Sequence, residues 1–302
     1  MTTSSSPQSF AGVWTALVTP LKQNLDIDWD AFDKLLDDQE AGGVTGVVLA
    51  GTTGESPTLT VQEKLSLARR ARARLKKTTR VMAGTGDNNT QQSIELSRLA
   101  ADAGADSLLV VTPPYNKPSL AGLTRHYKMI TEAVKVPVCL YHVPGRTAQL
   151  LNHEQIGALC EIPGIAAVKE ASGDVALFSR VVMKTKAALL SGDDPTYLAS
   201  LAVGGIGVIS VVSNVYPRAM VELTNAFVKG DTARARALHE ALLPAIDVMF
   251  CEVNPCPAKA ALAYRKRCEN YVRPPLAEVS DANFKRIAEV CDRTDGLLKR
   301  LL

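Results

Sequence analysis

The amino-acid sequence predicts an α/β fold, a (β/α)8 TIM barrel with a C-terminal helical appendix, on three observations. Eight short apolar runs recur, at residues 12–19, 46–50, 80–84, 107–112, 137–141, 165–169, 188–191 and 207–210. A stretch of helical period follows each of them. Successive runs start roughly 20 to 35 residues apart, room enough for a right-handed β-α-β crossover. The runs are apolar on both faces, as in Val47-Val48-Leu49, Leu108-Leu109-Val110-Val111 and Val208-Ile209, which suits parallel strands covered on both sides. Eight units in a row favour a closed barrel over a doubly wound sheet, which usually shows fewer.

Local signals place the helices. One is expected over 28–40, with Trp29, Phe32, Leu35 and Leu36 on one face and Gly42-Gly43 as its stop. Thr60 and Glu63 form a capping box that opens another. Asp194-Pro195 reads as an N-cap followed by proline at the first helical position. Residues 216–229 close the eighth unit, and 231–249, 258–270 and 280–301 read as helices of the appendix, broken up by Pro255, Pro257, Pro274 and Pro275. The expected organisation is a flexible tail over 1–10, a barrel over 11–229 and a C-terminal helical domain over 230–302.

Composition narrows the function classes. Of 302 residues, 34 are basic and 31 acidic, a balance that argues against nucleic-acid and membrane partners. No apolar run approaches the ~18 residues that a transmembrane helix needs. The first ten residues are polar and rich in Ser and Thr, without a basic or apolar signal region, so a cytoplasmic location is expected. The six cysteines are scattered, without a CxxC pair, and read as thiols in a reducing compartment. The four histidines share no metal-ligand spacing, and neither GxGxxG nor GxxxxGK[ST] occurs, so no metal and no cofactor is expected. Seven basic residues between Arg69 and Arg80 lie without interleaved aromatics and read as the solvated side of one amphipathic helix.

A barrel of this kind carries its chemistry at the C-terminal ends of the strands. Lys169 follows Ile165-Ala166-Ala167-Val168, so its stem should stand inside an apolar barrel, where burial disfavours the charged form and frees the amine as a nucleophile. The residues alone leave a second reading equally open, a buried lysine paired with Glu170 or another strand-end carboxylate. Tyr141 ends the neighbouring strand and can pass protons to and from a carbonyl carbon, or can be a core tyrosine with its hydroxyl at the rim. The turn Gly51-Thr52-Thr53-Gly54 offers two hydroxyls and backbone N–H groups that suit a carboxylate; alternatively it is a tight turn with threonine as a cap. Arg146 can grip a second carboxylate bidentately or form a weak surface pair. Asp193-Asp194 after strand seven would repel a phosphate.

Taken together, these strand-end motifs resemble the dihydrodipicolinate synthase (4-hydroxy-tetrahydrodipicolinate synthase) family, within the class I Schiff-base aldolase superfamily that includes N-acetylneuraminate lyase. Gly-Thr-Thr-Gly-Glu-Ser, Pro-Tyr-Asn-Lys-Pro, Tyr-x-Val-Pro-Gly-Arg-Thr, Val-Lys-Glu-Ala-Ser-Gly, Ser-Gly-Asp-Asp and Gly-Val-Ile-Ser occur in family order, and the likeness runs from residue 12 to about 275. The resemblance implies a lyase that condenses pyruvate with L-aspartate 4-semialdehyde in lysine and diaminopimelate biosynthesis. It implies Lys169 as the amine that forms the imine, Tyr141 as proton donor and acceptor, and Thr53 as the pyruvate-carboxylate ligand. Thr52 and Tyr115 complete the proton relay, with Tyr115 reaching in from an adjacent subunit of a dimer, usually paired into a tetramer. Arg146 would receive the aldehyde substrate's carboxylate, and Gly192 and Ile209 would line the pyruvate pocket through their backbones. The resemblance implies no metal or organic cofactor.

Two other readings stand beside this one. A related aldolase or dehydratase would act on a sialic or 2-keto-3-deoxy sugar acid, although such enzymes usually lack the Gly-Arg-Thr segment. A non-catalytic barrel could bind a keto acid, although binding alone would not need an amine nucleophile. Apart from His142, which stands where asparagine is usual in the family, the chain departs from relatives inhibited by lysine: Pro114 replaces a tyrosine, and other feedback-site positions, histidine and glutamate in those relatives, read Val61, Lys64 and Gln92. A lysine ammonium would lose its carboxylate and stacking partners there and meet Lys64. Weak or absent inhibition by L-lysine is therefore expected, and inhibition at sub-millimolar lysine in a steady-state assay would overturn this.

Overall fold

The computed structural model describes residues 7–302. Eight parallel strands close into a barrel: β1 (Gly12–Ala16), β2 (Gly46–Leu49), β3 (Arg80–Gly84), β4 (Ser107–Val111), β5 (Val138–His142), β6 (Ile165–Glu170), β7 (Ala188–Ser191) and β8 (Gly207–Ser210). Each strand pairs with the next in sequence, and β8 returns to β1 with Gly207 opposite Gly12. Successive side chains alternate between the barrel interior and the helical layer. Trp14, Val48, Met82, Leu109, Cys139, Ala167 and Leu190 share the interior cluster, while their neighbours Leu108, Val138, Leu140 and Val168 pack under the surrounding helices. Both faces are buried, which is why the strands read as unbroken apolar runs.

The surrounding helices are α1 (Trp29–Gly42), α2 (Val61–Arg74), α3 (Thr90–Asp102), α4 (Leu120–Ala133), the single turn α5 (Pro144–Thr147), α6 (His153–Cys160), α7 (Val175–Val182), α8 (Tyr197–Ala202) and α9 (Pro217–Val228). Helix α1 starts where the Asp28 carboxylate accepts from Ala31 N and stops at Gly43, whose φ of 78° lets the chain leave in the left-handed region. The Thr60–Glu63 capping box opens α2. The basic run along α2 faces acidic neighbours: Arg70 and Arg74 pair with Asp33, Arg74 also with Asp37, and Arg72 with Asp106. No helix among the described residues is long and apolar enough to cross a membrane.

The structure corrects three local expectations. The first six residues of the expected tail lie outside the described residues, but Pro7–Phe10 form a 3-10 turn. Phe10 is buried, its ring stacks 5.9 Å from Trp14, and Trp14 Nε1 donates to Phe10 O. The ring joins the barrel's interior cluster, where an apolar group is better placed than in water. Asp194 does not cap α8, which begins three residues later; its buried carboxylate accepts from Val211 N (2.8 Å) and Val212 N (2.9 Å) and so ties the end of β7 to the end of β8. The helix expected over 258–270 is α11 (Cys256–Tyr264), which ends early because Lys266 turns left-handed at φ 56°.

The appendix consists of α10 (Thr232–Val248), α11 and α12 (Asp281–Leu298). These helices have no core of their own. Leu238, Leu242, Ala261, Ile287 and Cys291 share one buried cluster with Val13, Phe32, Val47 and Val208 of the barrel layer. A polar clamp reinforces the junction. The buried Glu55 carboxylate receives Lys259 Nζ and Arg273 N, Lys259 Nζ also donates to Tyr271 O, and the Arg273 guanidinium grips Glu63 and Leu25 O.

Within this clamp, the Arg273 hydrogen bond pulls the Glu63 carboxyl down to about 2, against burial and with help from Thr60. A carboxylate whose folded value lies below its unfolded one adds stability that is complete above the unfolded value of 4.5 and is lost as pH falls toward about 2. The melting-temperature gap between the wild type and Glu63→Gln should therefore be widest near neutrality and shrink with acidification. A gap that stays constant from about pH 6 to about pH 3 in thermal melts would contradict this linkage.

Candidate active site

At the C-terminal mouth of the barrel the strand ends enclose a cavity of about 350 Å3, walled by Thr52, Thr53, Tyr141, Lys169, Gly192 and Arg146. Strand alternation explains how Lys169 gets there. Ala167 and Lys169 of β6 point inward, while Val168 and Glu170 point outward. The reading in which Glu170 neutralises Lys169 therefore fails on geometry: adjacent residues of a strand face opposite sides. Glu170 instead accepts from His142 Nδ1 (3.0 Å) and Ser172 N (3.0 Å) outside the barrel. Lys169 is 6% exposed, and its Nζ lies 4.3 Å from the Tyr141 ring centroid on the paired strand. Among the described residues no carboxylate or hydrogen-bond acceptor meets this amine.

Two further features define its reactivity. The lysine stem passes over Gly192, where an added Cβ would come within 2.6 Å of Ala171 Cβ, 2.7 Å of Lys169 Cε and 2.9 Å of Lys169 Cγ; only glycine leaves both side chains their place. Below Tyr141 on the same strand, burial pushes the Cys139 thiol up to about 12, against the pull of the nearby Lys169 charge, so that thiol stays protonated and unreactive. The Lys169 amine, unlike that thiol, borders the cavity.

The threonines sit on a turn set by backbone hydrogen bonds. Gly54 N and Ser56 N both donate to Gly51 O at 3.1 Å, and Thr19 Oγ1 donates to Gly54 O at 2.8 Å. Ala50 (φ 51°) and Glu55 (φ 58°) are left-handed at either end of the turn, which lifts Thr52 and Thr53 over the mouth. Thr53 is buried, and its Oγ1 accepts from Asn254 Nδ2 at 3.0 Å. Arg146 lies on the exposed turn α5 at the rim, and its guanidinium has no ion-pair partner among the described residues.

Not every residue singled out from the sequence reaches this cavity. Ile209 is buried in the barrel interior beneath it, and Val211 lines the wall at that point. Tyr115 is 89% exposed on the β4–α4 loop, left-handed at φ 72°, and lies outside the cavity of its own chain. Conversely, Phe250 and Asn254 line the cavity from the junction of α10 and α11, which the sequence marked only for its prolines. Among the described residues no group of three or more His, Cys, Asp or Glu side chains is arranged to hold a metal ion.

Comparison with known proteins matches residues 9–293 to the model of the Dihydrodipicolinate synthetase family. The chain is 41% identical over 284 residues to the 4-hydroxy-tetrahydrodipicolinate synthase of Leptospira biflexa, an alignment spanning 92% of this chain and 96% of that one. Its structure is similar to dihydrodipicolinate synthase from Aquifex aeolicus (TM-score 0.92, 37% identity, covering 95% of this chain and 98% of that one). It is also similar to a dihydrodipicolinate synthase variant characterised as monomeric (TM-score 0.93, 36% identity, covering 96% and 98%).

The close approach of Gly192 to the lysine stem has a direct consequence. Gly192→Ala, where thermal melts show that it still folds, should push Lys169 and Ala171 aside and slow the lysine's reaction with a keto acid at least about tenfold. Borohydride reduction followed by peptide mass measurement reads this rate; an unchanged rate would mean that the stem has room to spare.

Proposed function

The chain belongs to the dihydrodipicolinate synthetase family, and from that membership we propose that it condenses pyruvate with L-aspartate 4-semialdehyde to give 4-hydroxy-tetrahydrodipicolinate. The observation that carries this reading is the buried amine of Lys169, held against Tyr141 without a counter-ion at the floor of the cavity. The Lys169 nitrogen attacks the keto carbon of pyruvate, and water leaves as the protonated imine forms. That imine draws electrons from the methyl group, which loses a proton to become an enamine carbon. The enamine carbon attacks the aldehyde of the second substrate, whose oxygen takes up a proton and becomes the product hydroxyl. The substrate's amine then adds to the imine carbon, and Lys169 departs as the free amine.

Tyr141 stands where these protons must be handled, next to Nζ, and Thr53 and Thr52 present hydroxyls across the cavity. Thr53 binds the pyruvate carboxylate in this reading, and the Gly192 backbone borders the same subsite. Arg146, exposed and unpaired at the rim, receives the carboxylate of the semialdehyde. Tyr115 joins the relay only if its exposed loop enters the cavity of a second copy, so the reading includes a dimer, and a dimer of dimers where two such pairs associate.

Borohydride trapping with pyruvate should leave a covalent adduct on Lys169, found by peptide mass. Arg146→Ala should keep that trapping rate while raising the semialdehyde KM by about 10- to 100-fold, the effect of losing a charge-assisted pair. Absence of the adduct would leave a barrel that merely binds keto acids. An Arg146→Ala enzyme with unchanged semialdehyde kinetics but activity on a sugar acid would move the chain to the sialate-type aldolases.

A further inference from the structure

The segment joining α10 to α11 puts one polar side chain into the barrel mouth. Asn254 is 6% exposed, and its Nδ2 donates to Thr53 Oγ1 at 3.0 Å across 201 residues of sequence. Its Oδ1 is buried with no partner among the described residues. An acceptor left unpaired in the interior is destabilising, and such groups persist where a site needs them. We infer that Asn254 is a positioning residue that sets the direction of the Thr53 hydroxyl. The inference rests on the reading of Thr53 as the group that binds the pyruvate carboxylate.

The argument is one of hydrogen-bond valence. A threonine hydroxyl has one proton to give and two lone pairs to receive. The amide N–H of Asn254 occupies one lone pair. Among the described residues no protein acceptor takes the Thr53 proton, so that proton is left for the cavity, where a carboxylate is its natural acceptor. Donation into the hydroxyl oxygen also polarises the O–H bond and makes it a better donor. Turned the other way, the amide would accept from Thr53, and the hydroxyl would face substrate with lone pairs only, repelling a carboxylate. The helical appendix thus contributes to the chemistry through one amide.

Three variants test this. Asn254→Ala removes the donor, and Asn254→Asp keeps the shape but offers only acceptors at neutral pH, which turns the Thr53 proton away from the cavity. Thr53→Val removes the hydroxyl. Both Asn254 variants should lower kcat/KM for pyruvate by about tenfold or more, the weight of one directed hydrogen bond, with the semialdehyde KM unmoved. In a Thr53→Val background neither should matter further, since Asn254 acts through that hydroxyl. Melting temperatures identify any variant whose fold suffers, and near-isosteric Asn254→Asp keeps the test open if the alanine protein does not fold. An Asn254→Asp enzyme with wild-type pyruvate kinetics overturns the inference, as do losses that multiply in the double variants. Borohydride trapping of the wild type is run in parallel. With an adduct on Lys169 and a flat Asn254 series, only this inference fails; without an adduct, the reading beneath it fails as well.

Discussion

The buried carboxylate of Glu55 is the constraint on which the site depends. It sits at the end of the threonine turn, left-handed at φ 58°, and receives the Lys259 ammonium and the Arg273 backbone N–H from the C-terminal segment. Burial pulls the Lys259 pKa down, while the Glu55 charge and hydrogen bond oppose it. Such pairs gain little net stability over apolar packing, yet removing one partner costs about 3–5 kcal/mol because the other charge is stranded. That asymmetry is what a clamp needs: the turn carrying Thr52 and Thr53 has one position in which Glu55 is satisfied, and in that position α11 lies beside it. The same placement brings Asn254, five residues before Lys259, against Thr53.

The contrast between the two buried lysines makes the chemistry legible. Lys259 is fully buried and committed to Glu55 and Tyr271 O. Lys169 is nearly as buried, but the acidic residue beside it in sequence faces the other side of the sheet. Removing either partner of the Lys259–Glu55 pair would strand a buried charge, whereas no carboxylate holds the Lys169 amine. One lysine therefore holds the frame and the other is left facing the cavity, and the difference comes from strand alternation and from which carboxylate each amine can reach.

This division explains what the sequence revealed. The barrel was readable because both faces of each strand are buried, so each strand is a short apolar run set off by a helix. The inward stance of Lys169 follows from the same alternation. What stayed hidden depended on distant partners. Nothing near Asp194 says that its carboxylate would be taken by Val211 N and Val212 N instead of the next helix. Nothing near Asn254 points to a hydroxyl 201 residues away. The burial of Phe10 requires knowing that its ring meets Trp14 in the barrel interior, and the place of Ile209 below the cavity requires knowing where β8 ends. Local pattern sets the type of an element; closure of the barrel decides what its ends touch.

His142 shows how far that logic extends. On β5, Tyr141 points in and His142 points out; on β6, Lys169 points in and Glu170 points out. The two inward residues line the cavity, and the two outward ones bond to each other at 3.0 Å. Leu151 N donates to His142 Nε2 at 3.1 Å, so the ring proton resides on Nδ1 and is given to Glu170. The outward pair thus locks β5 and β6 in the register that sets Tyr141 opposite Lys169, and through Leu151 it anchors the far end of the loop bearing Arg146. An asparagine at this position could donate one hydrogen bond to Glu170 from its amide; the imidazole, with a nitrogen on each side, spans from the strand to the loop. Its buried, doubly bonded ring is a structural counterpart to the Tyr141–Lys169 pair on the opposite face of the same two strands.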